Sequence, residues 1–184
     1  MQVGIKLPAA ALGTLLGVLA AFEGRSLIAY VDPVGVPTIC DGWAQGVQIG
    51  DAATDHECDE LTLKGIAQAD KIISQWLPMF PDAPEMRAAY LSFIYNVGPG
   101  AAGIKDGFVW LKSGGHSTVF KLLQAGRYYE ACDELPKWRR AGGRILEGLV
   151  RRRAAEQELC HAGLRDYIQR RNNDRMAGKR LASR

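Results

Sequence analysis

Histidine is scarce in this chain, and its cysteines are far apart. Only three of the 184 residues are histidines, and the spacing of His56, His116 and His161 is not that of metal-ligand motifs. The four cysteines include no Cys-x-x-Cys pair, which is the usual mark of a zinc or thiol-disulfide redox site. These shortages predict a protein that works without a metal ion and without a cofactor.

Internal repeats are also absent, and no apolar run reaches the roughly 20 residues that a membrane-spanning helix typically needs. The N-terminal run at residues 7–22 has 16 uncharged residues, is rich in Ala and Gly, and follows Lys6. Three interpretations are open: a weak signal anchor with Lys6 on its cytoplasmic side, a cleavable signal with a small-residue site at 18–20, or a helix packed in the core. Cleavage would leave Glu23 almost at the new N-terminus, which disfavours the second.

Composition and charge are those of a folded protein with a basic C-terminal part. Hydrophobic residues make up 47% of the chain and charged residues 23%, and the length fits one domain, either undivided or built of two small lobes. The net charge is +3, yet residues 1–136 carry 9 basic and 15 acidic side chains, whereas the last 20 residues carry 7 and 2. The C-terminal part would attract nucleic acid, anionic lipid or an anionic cell-wall polymer.

The even number of cysteines has two explanations. Two disulfides would form in an oxidising compartment, with Cys40 and Cys58 separated by 18 residues and Cys132 and Cys160 by 28. Four reduced, buried thiols in a cytosolic protein are the alternative.

One short segment carries residues suited to glycoside hydrolysis. Glu23, Asp32 and Thr38 lie within the stretch EGRSLIAYVDPVGVPTICDGW, just ahead of glycine-rich sequence. Cleavage of a glycosidic bond needs one protonated carboxyl group for the leaving oxygen and one ionised group that stabilises positive charge or positions water. Because acidic residues nine positions apart are common by chance, the remainder of the chain must support this interpretation.

Hydrophobic periodicity predicts an α+β protein that is predominantly α, with one small β region directly after Glu23. Two β-like runs at 29–31 and 37–39 are separated by a turn signal at 32–35. Residues 165–184 are polar and weakly periodic, which predicts a loosely attached tail. Helices are predicted at 9–22, 55–77, 85–95, 119–125, 128–135 and 148–164.

Three motifs in order give the chain a family resemblance. The first is the segment just quoted, the second is SFIYNVGPGA at 92–101, and the third is ACDELPKWRRAGGRILEGLVRRRAAEQELC at 131–160. On these motifs the chain, from about residue 20 to 163, resembles the phage-type lysozymes of glycoside hydrolase family 24. It looks closest to lambdoid endolysins with a signal-anchor-release N-terminus. Three ordered motifs are far more specific than one pair of carboxylates.

The resemblance implies a lysozyme-like fold with a small β-hairpin lobe and a larger helical lobe. It divides the chain into an apolar helix at 1–22, a catalytic domain at 23–164 and a basic tail at 165–184. It also implies cleavage of the β-1,4 bond between N-acetylmuramic acid and N-acetylglucosamine in peptidoglycan. Glu23 would be the general acid, and Asp32 with Thr38 would hold a water molecule or stabilise the oxocarbenium-like transition state. The family analogy favours inversion at the anomeric carbon.

Tyr30, Trp43 and Asn96 are the candidate substrate-binding residues. Each has a structural alternative: Tyr30 in the core, Trp43 packed in the hairpin, and Asn96 holding a helix end. Trp43 stands where many relatives place His, and Trp cannot supply a charged partner. The cysteines fall where relatives have them, which implies the pairs Cys40–Cys58 and Cys132–Cys160.

The arginines at 139, 140 and 151–153 are interpreted as a solvated face, with contact to anionic peptidoglycan as the alternative. The predicted protein is a monomeric endolysin that acts on peptidoglycan in the host periplasm and associates transiently with the inner membrane through residues 7–22. The alternative function is a membrane-active cationic lysis protein that works through the basic tail. We expect no nucleic-acid partner, because neither a recognition helix nor a series of stacking aromatics is present.

Overall fold

The structure is a computed structural model that describes residues 4–32 and 35–182, with the side chains of 178–182 outside the description. Two antiparallel two-stranded sheets accompany the helices of the described part, one formed by β1 and β2 and the other by β3 and β4. The predicted class, α+β and predominantly α, is confirmed. The elements are α1 Ala9–Phe22, β1 Ser26–Val31, β2 Pro37–Cys40, α2 Asp55–Trp76, α3 Pro84–Val97, α4 Thr118–Gln124, α5 Tyr128–Glu134, a 3-10 turn Leu135–Lys137, β3 Arg140–Ala141, β4 Arg144–Ile145 and α6 Glu147–Ala182.

The larger lobe is built around α3, whose middle is buried from Ala88 to Ile94. Helices α1, α2 and α6 pack against it. α2 begins with a capping box, in which Thr54 and Glu57 satisfy each other's backbone N–H groups. Its remaining length follows from apolar residues at helical spacing that face the core, including Ile66 and Ile73.

Helix α1 is a core helix on one side only. Ala11, Leu15 and Leu19 recur every four residues and are buried, whereas Leu16 and Ala20 face solvent. The predicted bounds of this helix are confirmed. No helix of residues 4–32 and 35–182 is both long enough and apolar enough to cross a membrane.

The smaller lobe is the β1–β2 hairpin with its own apolar cluster of Ala29, Ile39, Trp43 and the Cys40–Cys58 disulfide. Tyr30 pairs with Thr38 in the ladder. Of the predicted turn at 32–35, residues 33 and 34 lie outside the described part, and the N–H of Gly35 donates to the carbonyl of Asp32 at 3.0 Å.

Two disulfides fasten the two lobes internally. Cys40–Cys58 ties β2 to α2, and Cys132–Cys160 ties α5 to α6. These are the pairs that the family resemblance implies. Loops of 18 and 28 residues correspond to about 3–4 kcal/mol of stabilisation each in the chain-entropy account of cross-linking.

The C-terminal region differs from the sequence prediction. Helix α6 does not end at Leu164 but continues to Ala182. Tyr167 and Ile168 pack against the larger core, and Nη2 of Arg170 donates to the carbonyl of Asp82 at 2.7 Å. Residues 167–170 of α6 are therefore fixed to the larger lobe.

A second hairpin was missed in the sequence. β3 and β4 are joined by Gly142 and Gly143, which have φ of 55° and 77°. A Gly-Gly pair suits a two-residue hairpin turn because glycine adopts positive φ without steric cost. This hairpin lies beside the cleft described next.

Candidate active site

A cleft of about 980 Å³ contains every site residue predicted from the sequence. Its lining comes from the end of α1, the β1–β2 hairpin, the middle of α2, the end of α3 and the β3–β4 region. Its volume is that of a typical site for a ligand larger than a single metal ion or water. The predicted residues that line it are Glu23, Tyr30, Asp32, Thr38, Trp43 and Asn96.

Glu23 lies at the C-terminal end of α1. Its backbone N–H donates to the carbonyl of Leu19 at 2.8 Å, and its extended backbone turns the chain from α1 toward β1. Oε1 accepts a hydrogen bond from Nη1 of Arg152, and the side chain is 17% exposed. On the other side, a Cβ added to Gly42 would lie 3.3 Å from Oε2. Arg152 therefore holds the carboxyl group through Oε1, and a side chain at position 42 would crowd Oε2.

Behind Glu23 is a buried ionic network on α6. Nε of Arg152 donates to Glu156 at 3.0 Å, and Arg153 bonds the second oxygen of Glu156. Ser92 on α3 donates to Glu156 at 2.7 Å. Two arginines and two glutamates thus form one connected cluster between α1, α3 and α6.

The solvated face predicted for the arginines is wrong at two positions. Arg152 and Arg153 are 2% and 0% exposed, whereas Arg139 and Arg151 face solvent. The reason is helical geometry: Glu156 lies four residues after Arg152 and three after Arg153, so all three share one face. The Arg-Arg-x-x-Glu pattern was the available signal for this pairing.

Burial lowers the pKa of Arg153 to about 10, against the opposing effect of Glu156. A group with this pKa keeps its charge at neutral pH. The network therefore remains ionic, and its polar contacts fix the end of α3 as well, because Nη2 of Arg153 donates to Oδ1 of Asn96.

Asp32 and Thr38 face the cleft from the hairpin. Oδ1 of Asp32 accepts from the N–H of Val36 at 2.8 Å, and the N–H of Asp32 donates to the carbonyl of Val36 at 3.0 Å. The hydroxyl of Thr38, which is buried, donates to the same carbonyl at 3.0 Å. The hairpin backbone thus orients both side chains.

The three candidate substrate-binding residues differ in their surroundings. Tyr30 is 38% exposed at the cleft, and its pKa is raised by partial burial and by the negative charges of Glu23 and Asp32. Tyr30 therefore lies within the field of both carboxylates rather than in the core. Asn96 is exposed at the cleft and is held by Arg153.

Trp43 is largely a packing residue. It is 8% exposed, sits in the hairpin cluster, and donates its Nε1–H to the carbonyl of Gln45 at 3.0 Å. The ammonium group of Lys64 lies 4.9 Å from its ring centroid. Trp43 lines the cleft but exposes little of its surface there.

Sequence reasoning missed the part of the cleft lining that lies at β3 and just before it. It is formed in part by Lys137, Trp138 and Arg140, with Trp138 packed edge to face on Phe93 at 5.3 Å between ring centroids.

Within the part of the chain that the structure describes, no group of three His, Cys, Asp or Glu residues is placed to hold a metal ion.

Known proteins are similar to this chain in sequence and in fold. The family model for phage lysozyme matches residues 20–156. The SAR-endolysin of Pseudomonas phage phiKMV is 36% identical over 155 residues, or 82% of this chain and 88% of that protein. The SAR-endolysin of Enterobacteria phage P21 is 36% identical over 140 residues, or 75% and 76% of the two chains.

Among solved structures, the active form of the P1 phage endolysin superposes with a TM-score of 0.67 at 26% identity, over 88% of each chain. The lysozyme of phage P22, solved as a mutant, superposes with a TM-score of 0.59 at 25% identity, over 84% of this chain and 97% of that one. The sequence match, the fold and the cleft agree, and the chain belongs to the phage lysozyme family.

Proposed function

We propose that Glu23, Asp32 and Thr38 carry out the hydrolysis of the β-1,4 bond between N-acetylmuramic acid and N-acetylglucosamine. As a phage lysozyme the chain is a glycoside hydrolase, and its role is that of an endolysin that degrades host peptidoglycan for lysis. The observation that carries the residue assignment is the cleft itself, which gathers the two carboxyl groups and the hydroxyl.

Glu23 is the general acid in this proposal. It must be protonated when the glycan binds, and the glycan displaces water from the cleft, which disfavours the charged form of a carboxyl group. Arg152 does not act on Glu23 alone, because its guanidinium also bonds Glu156 and Ser92. Arg152 therefore orients Glu23, while Glu156 balances much of the charge of Arg152.

Asp32 and Thr38 act from the opposite side of the scissile bond. The carboxylate of Asp32 stabilises positive charge on the sugar ring or, together with the hydroxyl of Thr38, holds the attacking water. The hydrogen bonds to Val36 support this role because they fix both groups relative to the hairpin backbone. Attack by water from this side inverts the anomeric carbon.

The cleft walls match an anionic glycan. Lys105, Lys137 and Arg140 line it, and peptidoglycan carries carboxylate groups that these cations attract. Tyr30 offers an exposed ring beside the two catalytic carboxyl groups, on which a sugar face can pack.

Product analysis tests the bond and the stereochemistry. Purified peptidoglycan is digested, reduced with borohydride and hydrolysed to its sugars. We expect reduced muramic acid at the new ends, since cleavage after N-acetylmuramic acid frees its anomeric carbon, and we expect the α-anomer first in NMR spectra taken during digestion. Undigested peptidoglycan is the control. Reduced glucosamine at the new ends would contradict the bond assignment, and a β-anomer would contradict inversion.

We further propose that residues 7–22 hold a precursor at the inner membrane before α1 joins the folded enzyme. The two similar proteins described above are SAR-endolysins, and the run carries no charge. Its 16 residues are fewer than a stable span typically requires, so it would anchor weakly and leave the bilayer readily. In the folded enzyme one face of α1, with Ala11, Leu15 and Leu19, packs against the core. The face that points to solvent can therefore be apolar for another reason.

Substitutions on the exposed side of α1 can distinguish a role in membrane anchoring from a role in the folded enzyme. Gly13→Lys with Leu16→Lys places two charges at positions that face solvent in the enzyme, and each costs roughly 2.5–3.5 kcal/mol at the centre of a bilayer span. We expect the purified variant to keep its activity, while in cells it leaves the membrane fraction and lysis is lost. Ile49→Lys with Met79→Lys, at exposed sites outside α1, is the control for added charge. Membrane recovery equal to the parent would count against the anchor.

The alternative of a membrane-active tail gains no support from the structure. Of the apolar residues on which it depends, Tyr167 and Ile168 pack against the core of the enzyme. They are therefore not available to enter lipid while the domain is folded.

A further inference from the structure

A tight turn stands directly against Glu23. Ile39 and Trp43 exchange both backbone hydrogen bonds, at 2.8 and 2.9 Å, across the three residues between them. Cys40 and Gly42 have φ of 57° and 90°, which for cysteine is an unfavourable conformation that the surroundings must hold in place. We call residues 39–43 the catalytic turn, because a Cβ added to Gly42 would lie 3.3 Å from Oε2 of Glu23, which puts this turn next to the carboxyl group.

The smaller lobe holds this turn by its side chains. Arg25 donates to both carboxylate oxygens of Asp41, at 3.1 and 2.7 Å, and Thr62 donates to one of them at 2.7 Å. Burial acts to raise the pKa of Asp41, but the hydrogen bonds from Arg25 and Thr62 outweigh it and lower the pKa below its ordinary value. Asp41 is thus an ionised anchor that is fixed to α2 and to the start of β1.

The larger lobe reaches the same turn through Tyr95. Its hydroxyl donates to the backbone carbonyl of Asp41 at 2.8 Å. Its ring lies on Gly65 of α2, where an added Cβ would come within 2.5 Å of Cε2. Burial, more than the negative charges of Glu23 and Asp41, raises the pKa of Tyr95 to about 12, so the hydroxyl remains a donor at neutral pH.

We propose that Tyr95 is a positioning residue for Glu23. The hydroxyl fixes the peptide that joins Asp41 to Gly42, and Gly42 in turn limits where the carboxyl group can lie. The next residue, Asn96, bonds Arg153 of the network that holds Glu23 from the opposite side. The end of α3 therefore bonds both structures that flank the Glu23 carboxyl group. Asn96 bonds the arginine network, and Tyr95 bonds the turn on the hairpin side.

This role rests on the proposed function of Glu23 as general acid. Without the Tyr95 hydroxyl, the carbonyl of Asp41 loses a buried donor and the turn shifts to find another. Gly42 then leaves room for water at Oε2, which favours the ionised form of the acid. A displacement on the order of 1 Å at a reacting group lowers rates by up to about a hundredfold.

The test compares Tyr95→Phe with Tyr90→Phe, which lies on the same helix. The Tyr90 hydroxyl is buried and has no hydrogen-bond partner among the described residues, so its removal is the matched control. With soluble peptidoglycan fragments, we expect Tyr95→Phe to lower kcat about tenfold with KM within about twofold of the parent. We also expect the alkaline limb of its pH–rate profile to move to lower pH.

A structural role alone would lower the melting temperature of Tyr95→Phe and leave kcat and the pH profile of the folded protein unchanged, and that result would overturn the proposal. Equal kinetics for the two tyrosine variants would also overturn it. Full activity of Glu23→Gln would instead refute the role of Glu23, which is a separate outcome.

Discussion

Glu23→Gln is expected to reduce peptidoglycan cleavage by about 10²–10⁴-fold, the range that a positioned general acid contributes. Gln matches Glu in shape and keeps an oxygen for Arg152, so the hydrogen bond on that side is preserved. What it lacks is the proton that the leaving oxygen requires. The loss should therefore appear in kcat rather than in binding of the glycan.

Lysis of outer-membrane-permeabilised cells and release of reducing ends from purified peptidoglycan measure this effect. Glu60→Gln is the matched control, because Glu60 lies on α2 and faces solvent, and its contact with His56, at 3.8 Å, is a long one. Unchanged far-UV circular dichroism would show that the Glu23 variant is folded. A folded variant with full activity would remove Glu23 from the mechanism.

Loss of the buried glutamate behind the site should have the largest effect on stability. Glu156→Gln is expected to lower the free energy of unfolding by about 3–5 kcal/mol, the range for breaking one partner of a buried ion pair. Both Arg152 and Arg153 would keep their charges without the carboxylate that neutralises them, and the Arg153 side chain is wholly buried.

Urea denaturation of Glu156→Gln and of the parent protein measures this difference in the free energy of unfolding. Glu158→Gln removes an exposed carboxylate from the same helix and should change stability by less than about 0.5 kcal/mol. Equal midpoints for Glu156→Gln and the parent would contradict the interpretation of the cluster as one ionic unit. The Glu156 variant should also lose activity, because Arg152 then has only Glu23 as an ionic partner.

Local patterns were sufficient for the elements that depend on local physics. The bounds of α1 follow from an apolar run between Pro8 and Gly24, and the start of α2 follows from the Thr54 capping box. The hairpin followed from two β-like runs around a turn. The gathering of Glu23, Asp32 and Thr38 in one cleft was predictable only through the family resemblance, since spacing alone does not fix a tertiary contact.

Contacts between distant residues account for what the sequence did not show. Arg152 meets Glu23 across 129 positions and Ser92 across 60, and no local pattern encodes such distances. Tertiary packing likewise carries α6 beyond Leu164, because Tyr167 and Ile168 rest on the core. The weak apolar periodicity of residues 165–184 did not indicate this packing.

The Cys40–Cys58 disulfide makes the structure of the smaller lobe depend on the redox state of the surrounding compartment. In a reducing cytoplasm these residues remain thiols, and the catalytic turn then loses its covalent tie to α2. Oxidation outside the cytoplasm restores the tie one residue from Asp41 and two from Gly42. With Glu23 as the proposed general acid, we expect a molecule that folds before export to hold the turn beside Glu23 less firmly than one that folds in an oxidising compartment.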